Sequence, residues 1–352
     1  MTRLLVTGGA GFIGSRICVA ARERGWDVRV LDAVDPSVHR NPPDLPDGVE
    51  LVTGSVTDPD RVRAALTGID VVSHQAAKIG LGVDFGDAPD YVATNIGGTA
   101  VLLAQMQTAG VGALVLASSM VVYGEGAYRT AEGRVVRPGP RREEDLRNGV
   151  FDPRDPDTGD LLVPDLVDED APLDPRNVYA TSKLAQEHLA AAWARETGAR
   201  AIALRYHNVY GPGMPRDTPY AGVASIFRSA LAHGEAPQVF EDGGQRRSFI
   251  HVDDIAAANV RAVEAVLDAS GDAAVFRPFN VGSAHVHTVG DLARALSDAV
   301  DGPAPEITGR FRLGDVRHIT ASSARIRSQL GWSEGHAFDA GMREFAHAPL
   351  RA

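Results

Sequence analysis

One cysteine, Cys18, stands in 352 residues, so neither an internal disulfide nor a cysteine-based metal site can form. It falls inside an apolar helical pattern and reads as packing. No apolar run approaches the ~18 residues that a bilayer span requires. Strand-like Arg3–Thr7 follows Met1 directly, which leaves no room for a signal peptide, and the expected setting is cytoplasmic. Positive charge is also in deficit. The 35 Lys and Arg against 46 Asp and Glu give a formal net charge of −11, which argues against a nucleic-acid or anionic-membrane surface. An anionic small substrate is still compatible, because a few local arginines matter more than the total.

What the chain has in quantity is glycine, 37 residues, together with runs of Ala and Val. Such runs suit a buried parallel sheet covered by helices. Leu4, Leu5 and Val6 form an apolar strand ending in a glycine-rich turn, and a helical pattern follows from about Phe12 to Arg24. Val28 to Leu31 reads as a second strand ending at Asp32. Strands are further expected at 49–53, 70–74 and 112–118, with helices at 58–67 and 88–109. This alternation predicts an α/β, doubly wound parallel sheet.

Residues 124–175 break the pattern. They are rich in Pro, Gly, Asp and Arg, and read either as a surface excursion or as a lid over the substrate. Helical periodicity resumes at Val178–Glu196, followed by a strand at Ala201–Tyr206, a turn at 211–219 and a helix near 220–233. The expected division is a dinucleotide-binding domain of residues 1–206 plus 247–281, with 125–175 inserted. Residues 207–246 plus 282–352 are expected to form a smaller α+β lobe.

Gly8, Gly11 and Gly14 are spaced GxxGxxG between the first strand and the first helix. The first glycine permits a tight turn, the second lets backbone N–H groups approach a pyrophosphate, and the third lets helix and strand pack closely. The helix N-terminus offers free donors and a positive dipole end to that anion. Asp32 is placed to hold a ribose 2′-OH and to repel a 2′-phosphate, so NAD is favoured over NADP.

Tyr179 and Lys183 form a YxxxK pair, one turn apart on one helix face. An ammonium about 4 Å from the phenol is worth at most ~4 kcal/mol at an effective dielectric of 20. The expectation is a tyrosine pKa lowered by up to about 3 units, poising Tyr179 to remove a hydroxyl proton while the carbon-bound hydrogen leaves as hydride. Ser118 and Ser119 close an apolar strand at the carboxyl edge of the sheet, and Ser119 is placed to bond the same substrate oxygen.

TGGAGFIG, the aspartate ending the second strand, SSxxVYG and YxxxK together resemble the extended short-chain dehydrogenase/reductase family, in its nucleotide-sugar epimerase/dehydratase branch. The likeness covers nearly the whole chain and is nearest to the dTDP-L-rhamnose 4-epimerase-like group. The resemblance implies catalysis by Ser119, Tyr179 and Lys183. It implies NAD contacts from Gly8, Gly11, Phe12, Ile13, Gly14, Asp32, Ser55, Val56, Gln75, Ala76, Ala77, Asn95 and Lys183. Asn208, Arg247 and Arg312 are implied to hold a nucleotide diphosphate, with Met120 and Asp315 also facing substrate and Lys78 facing either the sugar or water. Relatives usually dimerise through two helices, here those near 88–109 and 178–197. Two departures stand out: Ser248 replaces an Asp beside Arg247, and Ser55 replaces an adenine-contacting Asp.

Dehydratases of this branch resemble one another in carrying Asp-Glu where this chain has Met120-Val121. Neither residue moves a proton, so 4,6-dehydration is disfavoured. What remains is an NAD-dependent 4-epimerase of a nucleotide-diphosphate hexose, such as a dTDP- or UDP-linked sugar. Alternatives are an NAD(P)H-dependent 4-ketoreductase using the same residues, a steroid- or flavonoid-type reductase of the same fold, against which Asn208, Arg247 and Arg312 speak, and a non-catalytic NAD-binding regulator. Some relatives carry a Cys-rich knuckle after VYG; here Asp155–Gly159 takes that place, and no metal is expected.

Overall fold

A computed structural model describes residues 1–36, 38–39, 41–80, 85–216, 222–268 and 275–351. The expected turn at 211–219 and helix near 220–233 fall partly outside the described residues; within them a helix runs Val223–Ala232.

Seven strands form one sheet: β1 (Arg3–Thr7), β2 (Asp27–Asp32), β3 (Glu50–Thr53), β4 (Val71–His74), β5 (Ala113–Ser119), β6 (Arg200–Tyr206) and β7 (Phe276–Val281). Their order is β3-β2-β1-β4-β5-β6-β7, and every pairing is parallel. The chain reverses its direction of winding between β1 and β4, which makes the crevice at their carboxyl ends the place for a ligand.

Alternation along the strands divides the core in two. Leu4 and Val6 of β1 pack with Ile17, Cys18, Ile255 and Val263 on one face. Leu5 packs with Val62, Leu102, Met106 and Trp193 on the other. Helices Phe12–Glu23 and Val252–Leu267 thus cover one face, and helices Pro59–Ala65, Gly98–Ala109 and Val178–Thr197 cover the other. Cys18 is a buried free thiol inside the first of these cores.

A third core gathers Phe227, Leu292, Leu296, Met342 and Phe345 from the helices Val223–Ala232, Val289–Ala299 and Phe338–His347, with Val239 and Phe249 from the short strands Gln238–Val239 and Phe249–His251. Phe12 packs against it from the first helix, so the glycine-rich turn adjoins this lobe.

The helix expected at 88–109 is interrupted. Ala88–Tyr91 and Gly98–Ala109 are α-helical, but Val92–Gly97 forms a π-helical turn that contains Asn95. Such bulges re-aim side chains and recur at functional sites. The inserted segment is also more regular than its composition suggests. Strands Ala127–Arg129, Val135–Val136 and Val163–Asp165 make an antiparallel sheet around a small core of Tyr128, Val136 and Leu162. Strands of two or three residues are too short to show periodicity, which is why the sequence reads there as irregular.

Candidate active site

The glycine-rich turn leaves β1 with Gly8 at φ +68°, where a Cβ would meet the backbone N of Ala76 at 2.7 Å. A Cβ on Gly14 would stand 2.2 Å from the carbonyl oxygen of Gly8. Helix Phe12–Glu23 begins at Gly11 with no side-chain cap and no acidic residue in its first turn. Its leading N–H groups are therefore available to an anion. Asp32, buried at the end of β2, accepts from the backbone N–H of Ala10 at 3.0 Å and of Val34 at 2.9 Å. These features fit a dinucleotide: a side-chain-free cradle, a pyrophosphate-sized donor set and an acid at the ribose end.

Other expected cofactor residues sit around the same crevice. Ala76 N–H donates to Thr7 Oγ1, and Gln75 lies in a buried network with Ser73, Asn259 and Tyr206. Asn95 clamps the next segment, accepting from Lys78 N–H at 2.7 Å and donating to both Lys78 C=O and Ser182 Oγ at 2.9 Å. Ser55 forms a turn with Thr57, and Val56 is buried against Gly98. Beneath them His74 bonds Thr7 and Thr99, while Gln186 donates to Thr99. Burial pushes His74 down to about 3, so it is a neutral structural group.

At the end of β5, Ser119, Tyr179 and Lys183 come together. Asn177 caps the helix Val178–Thr197, its side chain accepting from Ala180 N–H at 2.8 Å, and so fixes where Tyr179 begins the first turn. The Tyr179 phenol lies beside the Ser119 hydroxyl. Lys183 places Nζ 5.9 Å from the Tyr179 ring centroid and donates to Ala117 C=O at 2.9 Å.

The expected lowering of the tyrosine pKa is corrected here. Burial pushes Tyr179 up to about 12, with the neighbouring Ser119 hydroxyl working in the opposite direction. Burial also brings Lys183 down to about 8, opposed by Glu187 one turn further on. Desolvation outweighs the ammonium because Lys183 is anchored on Ala117 rather than beside the phenol oxygen.

The Lys78 ammonium is partly exposed and pairs with Asp90 at 2.6 Å and Asp87 at 3.9 Å. Met120 begins a 3-10 turn, Met120–Tyr123, in which Val121 N–H donates to Ser119 Oγ.

On the lobe side, Asn208 Oδ1 is buried without a partner among the described residues. The Arg247 guanidinium donates to the carbonyl oxygens of Arg246, Val316 and Arg317 at 2.7–2.9 Å. It is therefore oriented by backbone, and Ser248 is not needed for that task; Ser248 Oγ instead accepts from Ala321 N–H. Arg312 is exposed and lies over the Phe240 ring, as does Arg310. A groove of about 570 Å³ runs past Phe240, Arg310 and Phe311. Asp315 lines a separate cavity of about 160 Å³ with Arg141, Arg176 and Glu125.

Sequence reasoning missed Phe240, Arg141 and Glu241. Glu241 is buried at φ +54° and pairs with Arg141 at 2.7 Å and Arg317 at 2.8 Å. This joins the inserted segment to the lobe. No local spacing pattern announces such contacts. An aromatic shortly before the Arg246-Arg247 pair was the one available signal for Phe240.

The sequence model of the NAD dependent epimerase/dehydratase family matches residues 4–156 and 158–282. The chain is 33% identical over 349 residues to a dTDP-L-rhamnose 4-epimerase of Burkholderia thailandensis, covering 97% of this chain and 93% of that protein. It is 28% identical to a UDP-glucose 4-epimerase of Corynebacterium glutamicum, over 95% of this chain and 91% of the relative. Among solved structures, a Thermus thermophilus UDP-glucose 4-epimerase in complex with NAD superposes with a TM-score of 0.75 at 29% identity, covering 98% of each chain. A Thermotoga maritima UDP-glucose 4-epimerase with UDP-glucose gives 0.77 at 27% identity, covering 98% of this chain and 97% of that one. No helix among the described residues is long and apolar enough to cross a membrane.

Proposed function

The chain belongs to the NAD dependent epimerase/dehydratase family, and on that basis we propose that it is an NAD-dependent 4-epimerase of a nucleotide-diphosphate hexose, working through a transient 4-keto sugar. The observation that carries this reading is the meeting of Ser119, Tyr179 and Lys183 at the end of β5, with Met120 and Val121 as the next residues. That set moves one hydroxyl proton and offers no second acid for eliminating water.

NAD, when bound, supplies reversible hydride acceptance. The chain's residues do the rest. Burial holds the Tyr179 phenol protonated in the unliganded site; the positive charge of bound NAD would favour its phenolate, which takes the proton of the sugar C4 hydroxyl while Ser119 holds that oxygen as charge develops. Lys183 keeps a positive charge beneath the pair at neutral pH. On return, the hydride would go to the opposite face of the rotated 4-keto sugar while Tyr179 gives its proton back to the C4 oxygen.

The nucleotide diphosphate is assigned to Asn208, Arg247 and Arg312. A guanidinium with carbonyl rather than carboxylate partners supports this assignment. Phe240 offers a face for the base. In this reading residues 1–206 plus 247–281 bind NAD and 207–246 plus 282–352 hold the nucleotide sugar. A cytoplasmic homodimer of carbohydrate metabolism, packed through helices Gly98–Ala109 and Val178–Thr197, belongs to the same proposal by resemblance.

The test is incubation with dTDP-, UDP- and GDP-hexoses followed by NMR of the sugar C4 proton. A new C4 epimer with no net absorbance change from reduced cofactor supports the reading. Turnover only with stoichiometric reduced cofactor makes the protein a ketoreductase.

A further inference from the structure

Arg351 reaches the glycine-rich turn from the far end of the sequence. Its Nη1 donates to the carbonyl oxygen of Ala10 at 2.6 Å, between Gly8 and Gly14. Its Nη2 donates to Nδ1 of His39 at 2.7 Å. A guanidinium only donates, so Nδ1 is the acceptor and the neutral ring carries its proton on Nε2. That Nε2 stands 3.7 Å from Oδ1 of Asp32, and both side chains are buried. A guanidinium, an imidazole and the ribose-end aspartate thus form one continuous row.

The row is built in rather than draped. Arg351 N–H donates to Met214 C=O at 3.1 Å, and its own C=O accepts from Arg216 N–H at 3.0 Å, forming a parallel bridge with Pro215. This fastens Arg351 to the loop that follows the strand Asn208–Tyr210. Burial lowers the pKa of Arg351 and Asp32 opposes that shift, so the two charges act on each other across the corner.

An aspartate at the end of the second strand excludes a 2′-phosphate by repulsion. Here each of its oxygens accepts one backbone N–H, from Ala10 and from Val34. A planar guanidinium, the side chain best matched to phosphate, stands at the same corner. We propose that Arg351, positioned with His39, is a cofactor-selectivity residue: it rims the adenosine-ribose corner of the dinucleotide cleft and admits a dinucleotide bearing a 2′-phosphate alongside NAD despite Asp32. This rests on the dinucleotide reading of the glycine-rich turn.

The experiment is isothermal titration of the full chain, stripped of dinucleotide, with NAD and with NADP. Wild type, Arg351→Ala and Arg351→Lys are compared, each checked for an unchanged thermal transition. Arg351→Ala is expected to weaken NADP about tenfold or more and NAD no more than about threefold, the tenfold loss corresponding to about 1.4 kcal/mol. Arg351→Lys, which keeps the charge and loses the planar fork, falls between wild type and Arg351→Ala. Equal losses for both dinucleotides, no loss for either, or Arg351→Lys matching Arg351→Ala would overturn the proposal. Wild-type protein that binds no NAD would instead overturn the cofactor reading beneath it.

Discussion

Lys183 Nζ donates to the carbonyl oxygen of Ala117 at 2.9 Å, two residues before Ser119 on the same strand. The bond holds an ammonium inside the protein with no carboxylate in contact among the described residues, and burial accordingly lowers its pKa to about 8. In the unfolded chain the same group titrates near its ordinary 10.5. Between those values the unfolded state binds more protons, so folding stability rises with pH over that window and the charged lysine is a cost at neutral pH. Lys183→Met should therefore lose catalysis while melting at an equal or higher temperature. Paired kcat and melting measurements check this, and a large fall in melting temperature would show that the Ala117 bond outweighs desolvation.

Tyr179→Phe removes the one hydroxyl placed to take the substrate proton. General-base losses run to about 10²–10⁴-fold in rate. We expect kcat to fall in that range, while NAD affinity changes by less than about tenfold, a difference of about 1.4 kcal/mol. Single-turnover kinetics with equilibrium NAD titration separates the two effects.

Gly14→Ala should abolish dinucleotide retention. Its Cβ would stand 2.2 Å from Gly8 C=O and 2.7 Å from Gly9 Cα, both backbone, so the turn must open to admit it. Overpacking of this kind costs about 1–3 kcal/mol. Mass spectrometry of released dinucleotide and a denaturant melt report the two consequences.

The glycine spacing, the acid ending β2 and the YxxxK pair were legible because each is set within a few residues by turn geometry or one helical turn. Six of the seven sheet strands were legible and β7 was not; β5 is buried along its whole length, and β1, β2 and β6 alternate between the two cores. Illegible were contacts whose partners meet only through the fold. Arg351 with Ala10, Glu241 with Arg141 and Arg317, and Arg205 with Glu187 and Tyr123 are of this kind. The π turn at Asn95 was hidden because its apolar pattern differs little from that of the flanking α-helix. The tyrosine pKa was misjudged because spacing fixes the helix face but not where a flexible lysine ends.

His207 is 3% exposed, and neither ring nitrogen has a hydrogen-bond partner among the described residues. Burial lowers its pKa to about 3, as it does for His74. Both folded values lie below the ordinary 6.5, so their contribution is fully present above that pH and is lost as pH falls from 6.5 towards 3. Each histidine contributes a slope of up to about 1.4 kcal/mol per pH unit in that window. His207→Phe should remove one such slope and stabilise the fold at neutral pH by about 1–3 kcal/mol. Urea melts at pH 7.5 and pH 5 (about one unit either side of the ordinary histidine value) compare the variant with wild type.

Glu241→Ala leaves Arg141 and Arg317 short of a shared buried carboxylate. Breaking such a pair from one side costs about 3–5 kcal/mol. Because Arg141 lies in the inserted segment, cleavage within residues 125–175 should accelerate under limited proteolysis. Unchanged cleavage would show that the Arg317 pairs with Asp152 and Asp242 hold the insert without Glu241.

The central claim is that one hydride leaves C4 and returns to C4 of the same sugar. The most direct measurement follows a nucleotide hexose deuterated at C4 through turnover. Deuterium retained at C4 of the new epimer, with no accumulation of reduced cofactor, is the result this account predicts. Loss of the label from C4, or product formed only in step with oxidation of added reduced cofactor, would contradict it.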